Sequence, residues 1–65
     1  MKKILLVGSG NLATHLALNI NKKKYLINQI YSPNKTNAKN LSNKIKSEWT
    51  SDPKEIKKAD ITIIA

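Results

Sequence analysis

The sequence predicts an α/β fold built on a parallel β-sheet. Apolar, strand-like runs alternate with amphipathic helical segments along its 65 residues, in the order βαβαβαβ. The connections between the runs are long enough to hold the crossovers that parallel strands require. The first and last apolar runs are nearly continuous, as in strands covered on both faces of a sheet. Together these observations predict a partial, doubly wound parallel sheet.

The first strand and the first helix follow from a change of apolar period. Residues 2–7 form an apolar run that favours a strand. From Asn11 onward the apolar residues recur at helical spacing and share one stripe: Leu12, Ala13, Leu16, Ala17 and Ile20. The three lysines at residues 22–24 are interpreted as the solvated end of this helix, because the helix dipole favours positive charge there.

The second strand and the second helix are separated by a turn signal. Residues 26–31 predict a strand, and the sequence Ser-Pro-Asn at residues 32–34 ends it. Thr36 is the expected N-cap of the following helix. The apolar side of that helix is predicted to consist of Ala38, Leu41 and Ile45.

The last third of the chain predicts a short strand, a short helix and a final strand. Residues 48–50 support the third strand only weakly. Asp52 is followed by proline at the first helical position and by glutamate at the third, a helix-start pattern that predicts a helix reaching Lys58. Residues 61–65 then predict a final strand of the buried type.

A glycine motif lies between the first strand and the first helix. Residues 8–13 read Gly-Ser-Gly-Asn-Leu-Ala, a G-x-G-x-x-A pattern. In such a turn Gly8 allows a sharp exit from the strand, Gly10 lets a pyrophosphate approach the backbone, and Ala13 lets the helix pack closely on the sheet. The free N–H groups of the helix start favour an anion. The pattern predicts a Rossmann-type cofactor-binding turn, the alternative being a turn that only reverses the chain. The expected binding residues are Gly8, Ser9, Gly10, Asn11 and Leu12.

The residues after the second strand bear on the choice of cofactor. A domain selective for NAD places an acidic residue about 20 residues beyond the glycines, where it binds the ribose 2′-hydroxyl. This sequence has Ser32, Asn34 and Lys35 there instead, and no acid. A hydroxyl, an amide and a lysine can all donate to a phosphate. We therefore expect NADP as the preferred cofactor, with NAD possible, unless these are ordinary turn residues.

Three stretches carry a family resemblance: GSGNLATHLAL at residues 8–18, IYSPNKTNAKNLS at residues 30–42 and ADITIIA at residues 59–65. Together they resemble the NADP-binding domain shared by pyrroline-5-carboxylate reductase and deazaflavin-dependent NADP oxidoreductase. The likeness is strongest to bacterial Rossmann-like oxidoreductases with a C-terminal domain of unknown function. Such domains usually have an arginine where this sequence has Pro33, which leaves Lys35 as the nearest substitute.

The resemblance also bears on domain organisation. Family members are several times longer, so residues 1–65 are expected to form the N-terminal part of an NAD(P)-binding Rossmann domain, incomplete at its C-terminal end and without a second domain. The helices that would finish covering the sheet are missing. Residues 4–7 and 61–64 are therefore both expected to present a largely uncovered apolar face. The expected partners are the cofactor and either the missing C-terminal domain or a second copy of the chain.

Composition limits the remaining function classes. The chain has no cysteine, which excludes disulfides, thiol nucleophiles and thiolate metal sites and fits a cytoplasmic location. It has no apolar run long enough for a membrane span. No residue pattern suggests a catalytic group or a metal site. By itself the chain is expected to bind a dinucleotide without turning over a substrate.

Two other interpretations stay open at this level. The net charge of +8 is compatible with a small lysine-rich nucleic-acid-binding module that keeps the glycine turn for structure only. Nucleic acid is the less favoured partner, because a lysine, asparagine and isoleucine bias accounts for much of that charge. The third interpretation is a truncated remnant without function.

Overall fold

The chain alternates strands and helices in the predicted order. The computed structural model describes residues 2–23 and 25–65, so Lys24 of the predicted helix end lies outside the described residues. The elements are β1 (Lys3–Val7), α1 (Asn11–Lys22), β2 (Leu26–Tyr31), α2 (Lys35–Ile45), β3 (Glu48–Thr50), a single 3₁₀ turn (Pro53–Glu55) and β4 (Ile61–Ile64). None of the helices in these ranges is long and apolar enough to span a membrane.

The four strands form one parallel sheet in the order β3-β2-β1-β4. Chain order runs outward from β1 through β2 to β3 and then returns to the other side of β1 with β4. The strand order therefore reverses at β1, as in a doubly wound sheet. This confirms the predicted fold class, a partial Rossmann-type α/β fold.

The core lies between one face of the sheet and the two helices. Its largest fully buried side chains are Leu6, Ile30 and Leu41. Ala13, Ala17 and Ala38 are also buried, and their small side chains let both helices approach the sheet closely. Trp49 and Ile63 pack against the edge of this cluster. Each large core side chain contributes about 1.5–3 kcal/mol of transfer free energy, which makes this layer the main source of stability.

A bulge in β2 decides which of its residues face the helices. Ile4 pairs with Ile27, but the next residue, Leu5, pairs with Gln29, so Asn28 is an extra residue in β2. Simple alternation would place Ile27 and Ile30 on opposite faces. Because of the bulge, both lie in the core between the sheet and the helices.

The bulge also directs Gln29 to the opposite face, where it binds the connection from β3 to β4. The buried Gln29 side chain donates from Nε2 to the Glu55 carbonyl at 3.1 Å and accepts from the Lys57 N–H at 2.8 Å. These bonds hold the crossover against the second face of the sheet. The predicted helix to Lys58 is wrong: after one 3₁₀ turn the backbone is extended at Ile56, with a ψ of 126°, and the Lys57 N–H donates to Gln29 instead of to a helical carbonyl. Its predicted N-cap is confirmed, since Asp52 accepts from the Lys54 N–H at 2.9 Å.

The prediction of an uncovered face on the first strand is wrong. Leu5 is only 6% exposed, and its register neighbour Gln29 is the residue that binds the crossover. The prediction does apply to β4, where Ile61 is 37% and Ile64 is 80% exposed. Of these two strands, only the edge strand β4 therefore exposes large apolar side chains.

The N-cap of α2 also differs from the prediction. Asn34 has an extended backbone, and its Oδ1 accepts from the Asn37 N–H at 3.0 Å. Thr36, the expected cap, lies inside the helix. The helix starts earlier because asparagine is an excellent capping residue and the chain turns directly after the buried Ser32.

We expect the purified 65-residue chain to self-associate, because β4 combines an unpaired edge with exposed isoleucines. Ile64→Lys should shift the association toward the monomer. Sedimentation velocity measures the association, and amide exchange measures the protection of β1 and β4. A monomeric unaltered chain with strongly protected central strands would contradict the expectation.

Candidate functional site

The glycine loop lies at the carboxyl edge of the sheet, between the ends of its two neighbouring strands. The Gly8 N–H donates to the Tyr31 carbonyl at the end of β2, at 2.9 Å. On the other side, the Ala65 N–H donates to the Val7 carbonyl, also at 2.9 Å. The loop therefore occupies the point where the strand order reverses, the usual ligand position in open α/β sheets.

Gly8 is required by the fold itself. Its φ is +131°, a backbone conformation that residues with a side chain rarely adopt. A Cβ atom at this position would lie 2.4 Å from the Ala65 carbonyl oxygen and 3.6 Å from the Ala13 Cβ. This confirms the predicted sharp exit from β1 and the close packing of Ala13.

Gly10 has a different environment. Its φ of −78° and ψ of −166° are open to any residue type, and a Cβ atom added here would have no atom of the described chain within 4 Å. Gly10 is the N-cap of α1, where it makes no side-chain capping bond, although serine or asparagine would make one. Glycine is an acceptable N-cap, but neither the backbone angles nor the packing requires it at this position.

The first turn of α1 presents backbone N–H groups without intrahelical acceptors. It contains no acidic residue. Asn11 is exposed, and Leu12 is 71% exposed even though it belongs to the predicted apolar stripe. The stripe enters the core only at Ala13, which is 1% exposed. A binding role for Leu12 therefore depends on its backbone N–H group.

The structure brings the end of β2 directly against the glycine loop. The Ser32 N–H donates to the Thr50 carbonyl at 3.1 Å, which ties β2 to β3. The Ser32 and Ser9 hydroxyl oxygens lie 2.7 Å apart, and the Asn34 N–H donates to Ser32 Oγ at 3.2 Å. Lys35 follows as the exposed first residue of α2. Two predicted parts of the site, 23 residues apart in sequence, are thus joined by one hydrogen bond.

A polar cleft that the sequence did not reveal lies between the two helices, with a volume of about 190 Å³. Its lining residues come from the start of α1 and from one side of α2: Ser9, Gly10, Asn11, Thr14, Asn37, Asn40, Leu41 and Lys44. The sequence feature that could have predicted this cleft is the helical spacing of Asn37, Asn40 and Lys44. These residues form a polar stripe next to the apolar stripe of α2.

The charges of the chain are segregated by sign along the sequence. The four acidic residues of the chain lie within residues 48–60, whereas residues 1–47 contain nine of its twelve lysines and no acid. Both the glycine loop and the end of β2 belong to this basic part. No carboxylate from that part can oppose an anionic ligand. Among the described residues, no group of His, Asp and Glu side chains could hold a metal ion.

The fold and the glycine turn define a Rossmann-type domain, and comparison with solved structures agrees. The chain is similar to the crystal structure of a "putative NADP oxidoreductase" from Bacteroides fragilis, with 37% sequence identity and a TM-score of 0.93. The likeness covers 98% of this chain and 25% of that protein's chain. The 65 residues therefore match one part of a larger protein. No protein-family profile and no curated protein matches the sequence.

Proposed function

We propose that the chain binds a nicotinamide dinucleotide, NADP in preference to NAD, as the N-terminal part of an oxidoreductase. The observation that carries the proposal is Gly10, a glycine that the fold does not need and that has open space above its backbone. The likeness to a structure described as an NADP oxidoreductase supports it. The narrower resemblance to pyrroline-5-carboxylate reductase remains part of the proposal.

The residues present fit the pyrophosphate of a dinucleotide. A phosphate group can approach the backbone only where no side chain intervenes, and the space at Gly10 meets that requirement. The N–H groups of the first turn of α1 then face the phosphate, and the helix dipole favours its charge. Gly8 contributes by shaping the turn, and Ser9, Asn11 and Leu12 contribute the neighbouring N–H groups.

The end of β2 fits a ribose phosphate better than a ribose hydroxyl. The Asn34 Oδ1 atom is occupied by its capping bond, which leaves the side-chain NH₂ group to donate. Lys35 adds a positive charge at the start of α2. An NAD-selective site would need a carboxylate here, and residues 1–47 contain none.

The proposed role is binding and orientation of the cofactor. A bound nicotinamide dinucleotide supplies the hydride for an oxidoreductase reaction. The chain spans a quarter of the similar structure, so we assign substrate recognition and turnover to the rest of a larger protein or to a partner copy. The 65 residues alone are expected to bind the dinucleotide without catalysing a reaction.

Lys35→Glu is expected to lower the affinity for NADP about tenfold and to leave the affinity for NAD within about twofold, since the new carboxylate repels only a 2′-phosphate. Calorimetric titration with both dinucleotides measures the ratio. Lys58→Glu is the matched control, because it changes the net charge equally at an exposed residue just before β4, away from the glycine loop. Equal affinities of the unaltered chain, or equal effects of both substitutions, would contradict the preference.

Ser32→Asp would test the preference for NADP over NAD less well than Lys35→Glu. Ser32 is only 4% exposed, so an aspartate would place a charge in a buried site and destabilise the fold itself.

Raising the salt concentration distinguishes dinucleotide binding at the glycine loop from binding of a nucleic acid. As the salt concentration rises, the affinity for a dinucleotide held by backbone N–H groups should fall less than the affinity for a polyanion held by the lysine-rich surface.

A further inference from the structure

We infer that a groove between α1 and β4 is the docking site of an amphipathic helix with acidic side chains on its flanks, supplied by the remainder of a larger oxidoreductase. The groove lies on the face of the sheet that carries the two helices, and its volume is about 380 Å³. The inference rests on the part of the proposed function that makes the chain one portion of a larger protein. It does not depend on dinucleotide binding.

The floor of the groove is apolar. It is lined by Ile4, Ile20, Tyr25, Ile61 and Ile63, with Lys2 beside them. Ile20 and Ile63 are half-buried and pack against the core, whereas Tyr25 is 51% and Ile61 is 37% exposed. The described residues therefore leave part of this apolar surface in contact with solvent. An apolar surface rimmed by polar residues is typical of a protein interaction site.

The shape of the groove suits a helix. On the α1 side, Ile20 continues a stripe that contains Leu12 and Leu16 at four-residue spacing. This stripe is about 12 Å long, which matches about two turns of a second helix. On the β4 side, Ile61 and Ile63 point to the same face of the sheet. A helix lying beside α1 could place its apolar stripe between these two walls.

A helix that directly followed β4 would not fill the groove. β4 lies on the opposite side of β1 from β2, so a right-handed crossover from β4 to a further parallel strand runs along the other face, where Ile64 is exposed. We therefore assign the groove to a helix from another part of the larger protein. The likeness to the solved structure spans 25% of that chain, which leaves enough length for such a helix.

The charge around the groove favours an acidic partner over a second copy of the chain. Lys2 lines the groove, and Lys22 and Lys23 are exposed where α1 ends, just after Ile20. Asp60, the acid directly before β4, accepts from the Lys3 N–H at 2.8 Å. Two copies that faced each other through this groove would bring like charges together. Glutamates on the flanks of a docked helix would instead pair with these lysines.

The test is a titration of the ¹⁵N-labelled chain with a synthetic helical peptide of about 16 residues, with leucines at helical spacing and glutamates on both flanks. The amide signals of Ile20, Ile61 and Ile63 should shift. Ile61→Thr should lower the affinity for the peptide about tenfold, because it removes apolar contact area and keeps the β-branch. Ile64→Thr is the matched control, since it makes the same change on the opposite face of β4, and it should leave the affinity unchanged.

Tyr25→Ser should also weaken binding. Tyr25 lies outside the helices and strands and is half exposed, so this variant tests the groove even where Ile61→Thr loosens β4.

Lys2→Glu tests the charge at the rim of the groove. It should lower the affinity for the glutamate peptide about threefold and raise the affinity for a matching peptide that carries lysines instead of glutamates. Lys39→Glu, an equal change at an exposed position of α2, should alter neither affinity.

Equal affinities for the glutamate and the lysine peptide, or signal shifts confined to the Ile64 face, would overturn the inference. Self-association that is lost in Ile61→Thr but kept in Ile64→Thr would also overturn it, because the occupant would then be a second copy. Titration of the same samples with NADP separates this inference from dinucleotide binding. A chain that binds NADP but not the peptide would overturn the inference and leave the proposed function intact.

Discussion

Gly10→Val is expected to lower the affinity for NADP at least about a hundredfold, or ~2.8 kcal/mol, while the chain keeps its fold. The branched side chain would fill the space in which the proposed pyrophosphate meets the backbone. The fold should tolerate the change, because Gly10 has an ordinary φ of −78° and a Cβ would have no neighbour within 4 Å in the described chain. The cost to stability is that of a poor N-cap, about 1 kcal/mol.

Gly10→Ser separates the effect on binding from the effect on stability more clearly than Gly10→Val does. Serine is a preferred N-cap residue, and the extended backbone of Gly10 suits it, so the free energy of unfolding should stay constant or rise. Binding should still fall, since the added Cβ and hydroxyl occupy the same space. Titration calorimetry measures the affinity, and urea unfolding measures the stability. Unchanged affinity in both folded variants would show that Gly10 serves the turn alone.

Gly8→Ala is expected to have the opposite signature, a loss of stability of about 2 kcal/mol or more. The alanine would have to adopt a φ of +131°, and its Cβ would lie 2.4 Å from the Ala65 carbonyl oxygen. That oxygen belongs to backbone held against β1 by the bond from the Ala65 N–H to Val7, so it cannot move without loosening β4. For so small a chain, such a loss is a large fraction of the total stability.

Urea unfolding followed by circular dichroism measures this effect. Gly10→Ala is the control, since it adds the same methyl group two residues away, in open space and with an allowed φ. Equal stabilities of the two alanine variants would contradict the assignment of Gly8 to the fold and Gly10 to the ligand.

Local patterns were sufficient to predict the elements of the fold. The apolar period of residues 2–7 and its change at Asn11 located β1 and α1, because that period depends only on neighbouring residues. The short third strand was found as well, although Trp49 was its only strong apolar residue. The helix-start pattern at Asp52 predicted too long a helix, because hydrogen bonds to the distant Gln29 side chain determine the course of the crossover.

The candidate site also has features that the sequence predicted and features that only the structure revealed. The glycine spacing predicted the loop, and the absence of an acid after β2 predicted the cofactor preference. The motif assigned the turn to Gly8 and the pyrophosphate contact to Gly10, but only the structure gave the φ of +131° at Gly8 and the open space at Gly10. The contact between Ser9 and Ser32 also needed the sheet, since it depends on β1 and β2 ending side by side.

The sequence by itself determined the order of the elements, the glycine turn and the concentration of positive charge in residues 1–47. These properties depend on residue type and spacing along the chain. Only the tertiary structure decided the bulge at Asn28, the coverage of Leu5, the polar cleft and the burial of the Ser32 hydroxyl. Each of these depends on strand register and on the approach of distant segments, which are settled by packing the whole core at once.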